Sequence, residues 1–155
     1  MRQVRGIAGA LLLLLAAMAV GQIAPGSGTT GDAEGEAAIR AVLTSQVDAW
    51  NHGRLKAYME GYWKSTELTF FAGDKESAGW EAAYQRYRAA YQGNGKEMGR
   101  LQFRSVRVEM LGPDAAFVRG GWLLTMKDGS RRAGLFTIVL KKFDEGWRII
   151  HDHSS

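Results

Sequence analysis

The sequence predicts an α+β fold in which three helices precede an antiparallel sheet. In the first half of the chain, Ile39, Val42, Leu43, Val47 and Trp50 recur at helical spacing, which is typical of a helix with one buried face. In the second half, four runs rich in β-forming residues are separated by the short turn sequences GPD, KDG and DEG. Consecutive strands joined by such short links pair antiparallel.

The chain begins with a predicted secretory signal peptide over residues 1–21. Arg2 and Arg5 precede an apolar run from Ile7 to Val20 that ends among small residues, which is the three-part layout of a signal peptide. The run is shorter than the roughly 20 apolar residues that span a bilayer, so we expect cleavage, a secreted or periplasmic location and no membrane attachment afterwards. Residues 22–35 are rich in Gly, Ser, Thr and Pro, which predicts a flexible tether.

Residues 36–155 are predicted to form one domain, because their number suits a single hydrophobic core. The formal charge of the chain is +4, and removing Arg2 and Arg5 with the signal leaves +2. A net positive charge this small does not indicate nucleic-acid binding. The chain contains no cysteine, which excludes disulfide bonds and a lipoprotein anchor. No cofactor is expected.

The helices are assigned from apolar residues spaced three and four apart. The first helix is expected to end at Gly53, and Trp80, Tyr84, Tyr87 and Tyr91 indicate the third. The aromatic stripe of the third helix is typical of core packing against a sheet. The second helix is predicted around Leu55, Tyr58, Met59 and Tyr62, and a short strand at Glu67–Phe71 lies between the second and third helices.

The four β-rich runs predict a meander with apolar residues on both faces. In the third run, Phe136 and Ile138 alternate with Leu135 and Val139, so apolar side chains point to both sides of the sheet. Helices cover only one face in a chain of this size, and the other face is expected to contact a second subunit. The runs are Leu101–Met110, Ala115–Met126, Ala133–Lys142 and Trp147–His153.

Two stretches resemble the nuclear transport factor 2-like superfamily, and in particular its SnoaL-like domains. They are DAWNHGRL at residues 48–55, and GLFTIVL at 134–140 continuing to GWRIIHDHSS at 146–155. The C-terminal stretch is also similar to the association domain of calmodulin-dependent kinase II. The resemblance implies a cone-shaped, strongly curved antiparallel sheet wrapped by the three N-terminal helices, the cystatin-like α+β roll. It also implies an apolar pocket inside the cone and a homodimer formed through the convex sheet face.

The resemblance does not carry over the chemistry of ketosteroid isomerase, a member of this superfamily. That enzyme uses a carboxylate base together with a tyrosine and a neutral carboxylic acid. In this chain, Gln46 stands where the tyrosine of the first helix is expected, and Phe71 stands near the expected base. Neither side chain can perform the corresponding step.

His153 is the best candidate for a catalytic acid or base. Strict alternation along the last strand places His151 and His153 on the same face as Trp147, with Asp152 on the opposite face. A histidine in a partly dry pocket titrates near neutrality. The pair supplies too few ligands for zinc, since the remaining histidine, His52, is distant and cysteine is absent. No metal site is expected.

Arg104 is predicted to face the pocket, in register with Val106, Val108 and Met110, and to bind an anionic group. The remaining predicted pocket residues are aromatic: Tyr58, Trp63, Phe71, Tyr87 and Trp122. These residues predict an exported domain that binds a small apolar or weakly acidic molecule. Two alternatives stay open: an acid-base enzyme of isomerase, cyclase or hydrolase type that uses His153, and a non-catalytic dimeric accessory module.

Overall fold

The computed structural model describes residues 30–155 and confirms the α+β class. The predicted signal peptide and residues 22–29 of the predicted tether lie outside the described residues. The helices are α1 (Thr30–Asn51), α2 (Leu55–Tyr58) and α3 (Trp80–Tyr91), with a 3-10 turn (Met59–Gly61) directly after α2. The strands are β1 (Thr69–Ala72), β2 (Lys75–Ala78), β3 (Arg100–Met110), β4 (Ala115–Thr125), β5 (Arg131–Phe143) and β6 (Gly146–Ser154).

The six strands form one open sheet in the order β2-β1-β6-β5-β4-β3. The predicted four-strand meander is present as β3 to β6, and each of its neighbouring pairs is antiparallel. The short predicted strand is β1, which pairs parallel with β6 and thereby joins the helical half of the chain to the sheet. The edge strand β2 was not predicted, because its sequence KESA has no apolar alternation and its pairing with β1 depends on tertiary structure.

Helix α1 begins at Thr30, six residues before the predicted start of the domain, so the end of the predicted tether is helical. The reason is a tertiary contact. Gly35 is buried on the sheet, where an added Cβ would lie 2.7 Å from the Cε atom of Met110 and 3.5 Å from Trp147. Packing against the sheet thus extends the helix through residues whose composition favours a flexible chain.

The helices cover one face of the sheet and enclose the core. Ile39 and Trp50 of α1 pack with Ile138 and Leu140 of β5, and all four are at least 95% buried. The predicted alternation along β5 is confirmed, because Leu135 on the opposite face is 69% exposed. Within the described residues, no helix has the length and apolar character needed to cross a membrane.

Two irregularities interrupt the alternation of the sheet. The pairing of β3 with β4 shifts between Arg104 and Arg107, where Ser105 has a φ of 50°. The pairing of β5 with β6 shifts so that Leu140 opposes Ile149 while Val139 opposes His151. A β-bulge places an extra residue in one strand, which reverses the inward and outward positions beyond it. Residues on the two sides of each bulge therefore do not follow one unbroken alternation.

Candidate functional site

A cavity of about 280 Å³ lies between the helices and the inner face of the sheet. Its wall is mostly apolar and aromatic, with contributions from Leu43, Trp50, Phe70, Leu101, Phe103, Trp122, Leu124, Phe136, Ile138 and Ile149. Well-packed protein interiors contain few voids larger than a water molecule. An apolar cavity of about 150 Å³ is large enough to hold benzene. The space in this protein therefore admits one ring with a short substituent.

Asp152 is the acidic side chain that contributes to the cavity wall, and it is only 4% exposed. The hydroxyl of Tyr62 donates a hydrogen bond of 2.7 Å to its Oδ2 atom. The hydroxyl of Ser154 donates a bond of 2.8 Å to its Oδ1 atom. Asp152 lies on β6, and Tyr62 follows the 3-10 turn and forms a bridge with Ile149 of the same strand. The sheet thus positions both members of the pair.

Two further tyrosines extend this polar group. The Tyr58 hydroxyl lies 3.4 Å from the hydroxyls of both Tyr62 and Tyr87, which places three phenols in series beside the carboxyl group. Gln46, which is 2% exposed, donates through Nε2 to the carbonyl oxygen of Tyr58 at 3.2 Å. This bond ties α2 to α1 and fixes the backbone that carries Tyr58.

Burial changes the proton affinity of the whole polar group. It raises the pKa of Asp152 from 3.8 to about 6, against the opposing effects of the hydrogen bonds from Tyr62 and Ser154 and the charge of His153. Burial and the charge of Asp152 raise the pKa of Tyr58 to about 12. The pKa values of Tyr62 and Tyr87 are also raised well above normal, mainly by burial. The phenols therefore remain proton donors while Asp152 titrates near neutral pH.

Aromatic rings surround the outer tyrosines. Trp50 packs edge to face against Tyr58, Tyr87 and Tyr91, with centroid separations of 5.0, 5.9 and 4.8 Å. The indole nitrogen of Trp50 donates to the carbonyl oxygen of Met98 at 2.9 Å. Such contacts lock the rings in one arrangement. The cavity therefore has a rigid aromatic side next to its polar group.

Arg86 of α3 is the positively charged side chain that lines the cavity. Its Nη2 atom donates to the carbonyl oxygen of Ala72 at 3.3 Å. Among residues 30–155, neither Arg86 nor Asp152 belongs to a salt bridge. The arginine and the buried carboxyl group are therefore separate features of the cavity.

Comparison with known families assigns this fold. The model of the SnoaL-like domain matches residues 39–155. The chain belongs to the SnoaL-like family. The solved structure of an NTF-2 like protein of unknown function from Shewanella oneidensis is 35% identical, with a TM-score of 0.72, and the match covers 77% of this chain and 98% of that one. A search of functionally curated proteins finds no match.

Two more distant structures share the fold of this SnoaL-like domain. A putative calcium/calmodulin-dependent protein kinase type II association domain from Thiobacillus denitrificans is 22% identical, with a TM-score of 0.64 and coverage of 75% and 92% of the two chains. A protein of unknown function with a cystatin-like fold from Nostoc punctiforme is 12% identical, with a TM-score of 0.65 and coverage of 81% and 91%. The resemblances to the superfamily and to the cystatin-like roll are thus confirmed.

The structure places Tyr58, Tyr87 and Trp122 on the cavity wall, as the sequence predicts. It places two other aromatic candidates elsewhere. Trp63 stacks on Phe143 at 5.4 Å outside the cavity. Phe71 alternates with the buried Phe70 along β1 and so points to the outer face of the sheet.

The prediction that His153 lines the cavity is wrong. The bulge in β6 keeps Trp147 and Ile149 inside but turns His151 and His153 outward, where both rings contact Phe71. His153 is exposed, and His151 bonds through Nδ1 to the Thr69 hydroxyl at 2.6 Å. The last strand therefore does not offer a histidine for cavity chemistry.

The same error affects Arg104. The bulge at Ser105 allows Phe103 and Val106 both to face the core, which leaves Arg104 exposed on the other face. The predicted anion-binding residue is therefore outside the cavity. Within residues 30–155, no three His, Asp or Glu side chains are grouped so as to hold a metal ion.

Sequence reasoning missed Asp152, Tyr62 and Arg86 as cavity residues. The sequence predicts that Asp152 and His153 lie on opposite faces of the last strand, and this is confirmed. In the structure, however, Asp152 faces the cavity and His153 faces outward. The available signal was the single acidic residue in the strand sequence WRIIHDH. An acidic residue at such a position is either at the surface or has a specific buried role.

Proposed function

We propose that this SnoaL-like domain binds a small, mostly apolar molecule that carries one polar group. The observation that carries the proposal is the combination of a cavity of about 280 Å³ with a buried Asp152–Tyr62 pair on its wall. An apolar concave wall with a few convergent polar groups is the usual composition of a small-molecule site. The ring fits the aromatic wall, and the polar group of the ligand bonds to the carboxyl and phenol groups.

A purely structural role accounts poorly for this arrangement. Burying a carboxyl group costs free energy that hydrogen bonds only partly recover, and the raised pKa of Asp152 reflects that cost. An apolar residue at this position would stabilise the fold more simply. The cost is understandable if the carboxyl group contacts a ligand, because strongly perturbed groups in cavities are typical of functional sites.

The weakly acidic ligand class that the sequence suggested finds no support in the cavity. Arg104 lies on the outer face of the sheet. The positively charged side chain in the cavity is Arg86, and its guanidinium already donates to the backbone carbonyl of Ala72. An anionic ligand group near Asp152 would be repelled by its carboxylate. The proposal is therefore restricted to apolar molecules with a polar group other than an acid.

A cavity-blocking variant tests this function. Ala90 is exposed on α3 and also lines the cavity, so Ala90→Trp is expected to fill the space without disturbing the core. Ala82 is exposed on the same helix but does not line the cavity, and Ala82→Trp is the matched control. Isothermal titration with 2-phenylethanol should show binding to the wild type and the control and weaker binding to Ala90→Trp. Equal binding to all three proteins, or none at millimolar concentration, would contradict the proposal.

A second candidate function is acid-base catalysis on the bound molecule by Asp152. The specific observation is a buried carboxyl group whose pKa of about 6 suits proton transfer near neutral pH, with Tyr62 as a neighbouring donor. In this second function, Asp152 takes the place of His153 as the candidate catalytic acid or base. Such an activity would depend on pH with a midpoint near the pKa of Asp152 and would be lost in Asp152→Asn but kept in His153→Ala.

We also propose that the domain acts after export and as a homodimer. The support for export is the basic and apolar pattern of residues 1–21, and mass analysis of the mature N-terminus after expression in a secreting bacterium tests it. The support for a dimer is the apolar outer face of the sheet, where Leu135 is 69% exposed beside Val139. A second copy covering this face would remove these side chains from water.

A further inference from the structure

We propose that the ligand of this cavity is an organic ammonium ion, with an apolar or aromatic body and a protonated amine that lies against Asp152 and the neighbouring aromatic rings. The inference rests on the proposed binding function and specifies the chemical class of the ligand. Three independent features of the cavity support it: an unpaired buried carboxylate, a hydrogen-bond chain that ends in acceptor oxygens, and a group of aromatic faces.

The first feature is that no positively charged side chain among the described residues contacts Asp152, although the charge of His153, on the outer face of the same strand, acts on it from beyond ion-pair distance. The groups that face its carboxyl group are neutral: Tyr62 after the 3-10 turn and Ser154 on β6, with Tyr58 and Tyr87 behind them on α2 and α3. Across the described part of the chain, no Lys, Arg or His lies within salt-bridge distance of this carboxylate. Buried charges in proteins are normally paired. A cationic ligand would complete the pair.

The second feature is the direction of the hydrogen bonds. A carboxylate only accepts, so Tyr62 gives its single proton to Asp152 and its own oxygen is left to accept. The negative charge of Asp152 favours the same donor direction along the row of three phenols, so that Tyr58 donates to Tyr62 and Tyr87 donates to Tyr58. Every phenol proton is then used toward the carboxylate. The groups that remain for a ligand are lone pairs, which bind N–H or O–H donors and not carbonyl oxygens.

The third feature is the aromatic side of the cavity. Trp50 packs edge to face against Tyr58, Tyr87 and Tyr91, all four rings line the cavity, and Tyr58 is linked to Asp152 through the Tyr62 hydroxyl. The negative face of an aromatic ring attracts a cation, and enclosed ammonium groups are commonly bound by several rings together. The same rings pack well against an apolar ligand body. The site therefore combines a carboxylate with π faces, the two surfaces that favour an ammonium ion.

Arg86 is the one cavity cation within residues 30–155, and it limits where the amine can lie. Its guanidinium bonds to Ala72, at the end of β1, and its distance from Asp152 exceeds that of an ion pair. The favourable position for a positive charge is therefore at Asp152 and the rings, with the apolar body toward Arg86. A ligand with one ring and a two-carbon amine chain matches the size of the cavity.

The test compares three probes of similar size and different charge by isothermal titration at about pH 8, where Asp152 is ionised. They are phenethylamine as the cation, 2-phenylethanol as its neutral counterpart and phenylacetate as the anion. We expect phenethylamine to bind at least about tenfold more tightly than 2-phenylethanol, a factor equivalent to about 1.4 kcal/mol, and phenylacetate to bind most weakly. In Asp152→Asn, the preference for phenethylamine over 2-phenylethanol should fall to the part that the aromatic rings supply.

A pH series on the wild type provides the same test without a substitution. Lowering the pH to about 5 protonates Asp152, so binding of phenethylamine should weaken while binding of 2-phenylethanol stays constant. If 2-phenylethanol binds and phenethylamine binds no more tightly at either pH, the ammonium preference is wrong and the binding function stands. If none of the three probes binds at millimolar concentration, both proposals are wrong.

Discussion

Replacing Asp152 by asparagine should change how the stability of the domain depends on pH. The pKa of Asp152 rises from 3.8 to about 6 on folding, mainly through burial. A difference of about 2 pH units at about 1.36 kcal/mol each corresponds to about 3 kcal/mol. Asparagine keeps an oxygen for the Tyr62 hydroxyl and an amide that Ser154 can accept from, but it never carries a charge. The variant therefore isolates the cost of ionising a buried carboxyl group.

The sign follows from the direction of the change in pKa. A raised pKa means that the folded state binds the proton more tightly than the unfolded state does. The contribution of neutral Asp152 to stability is fully present below a pH of about 3.8 and is lost as the pH rises to about 6 and beyond. Relative to Asp152→Asn, the wild type should lose about 2 kcal/mol of unfolding free energy between about pH 4 and pH 8, which is most of this contribution.

Urea denaturation of the wild type and Asp152→Asn at several pH values between 4 and 8 measures this difference in unfolding free energy directly. Other titrating groups contribute to each curve but cancel in the comparison. The exposed turn residue Asp74 provides the matched control, because Asp74→Asn should change stability little across this range. A constant difference between the wild type and Asp152→Asn from pH 4 to pH 8 would refute the argument that burial governs this group.

Two further predictions concern the support of the cavity and the outer face of the sheet. An added Cβ at Gly61 would lie 2.7 Å from the Cδ and Nε2 atoms of buried Gln46. Gly61→Ala should therefore break the hydrogen bond from Gln46 to the Tyr58 carbonyl oxygen and lower the unfolding free energy by about 1–3 kcal/mol, as measured by chemical denaturation. Gly93→Ala, where the nearest atom is at 3.6 Å, should change stability much less, and equal losses would count against the role of Gln46. If the outer face forms a dimer, Leu135→Lys should sediment as a folded monomer, because Leu135 is 69% exposed in one subunit and its replacement leaves the core intact. A wild type that already sediments as a monomer at micromolar concentration would contradict the dimer.

The sequence alone predicted most of the secondary structure. The spacing of Ile39, Leu43 and Trp50 identified α1, and the turn sequences at Gly112 and Gly129 separated the long strands correctly. These predictions succeeded because hydrophobic periodicity and turn chemistry are properties of short stretches of chain. The resemblance at the two ends of the domain was sufficient for the family, which the match over residues 39–155 confirms.

The composition of the cavity was predicted only in part. Tyr58 and Tyr87 were identified as candidates because aromatic residues at helical spacing must face the interior, and the structure places both on the wall. Tyr62 was assigned to a helix, although it lies in extended backbone just after the 3-10 turn. Its partnership with Asp152 joins residues 90 positions apart and is created by the parallel pairing of β1 and β6 and by the neighbouring bridge at Tyr62.

The choice between His153 and Asp152 was decided by tertiary structure. Alternation along a strand is a local rule, and it holds on each side of a bulge, but the position of the bulge depends on how the strand pairs with its neighbour. On β6 the extra residue between Ile149 and His151 exchanges the two faces, and on β3 the bulge at Ser105 does the same to Arg104. The sequence thus determined which residues alternate, whereas the pairing of the sheet determined that the carboxyl group faces the cavity and the histidines face outward.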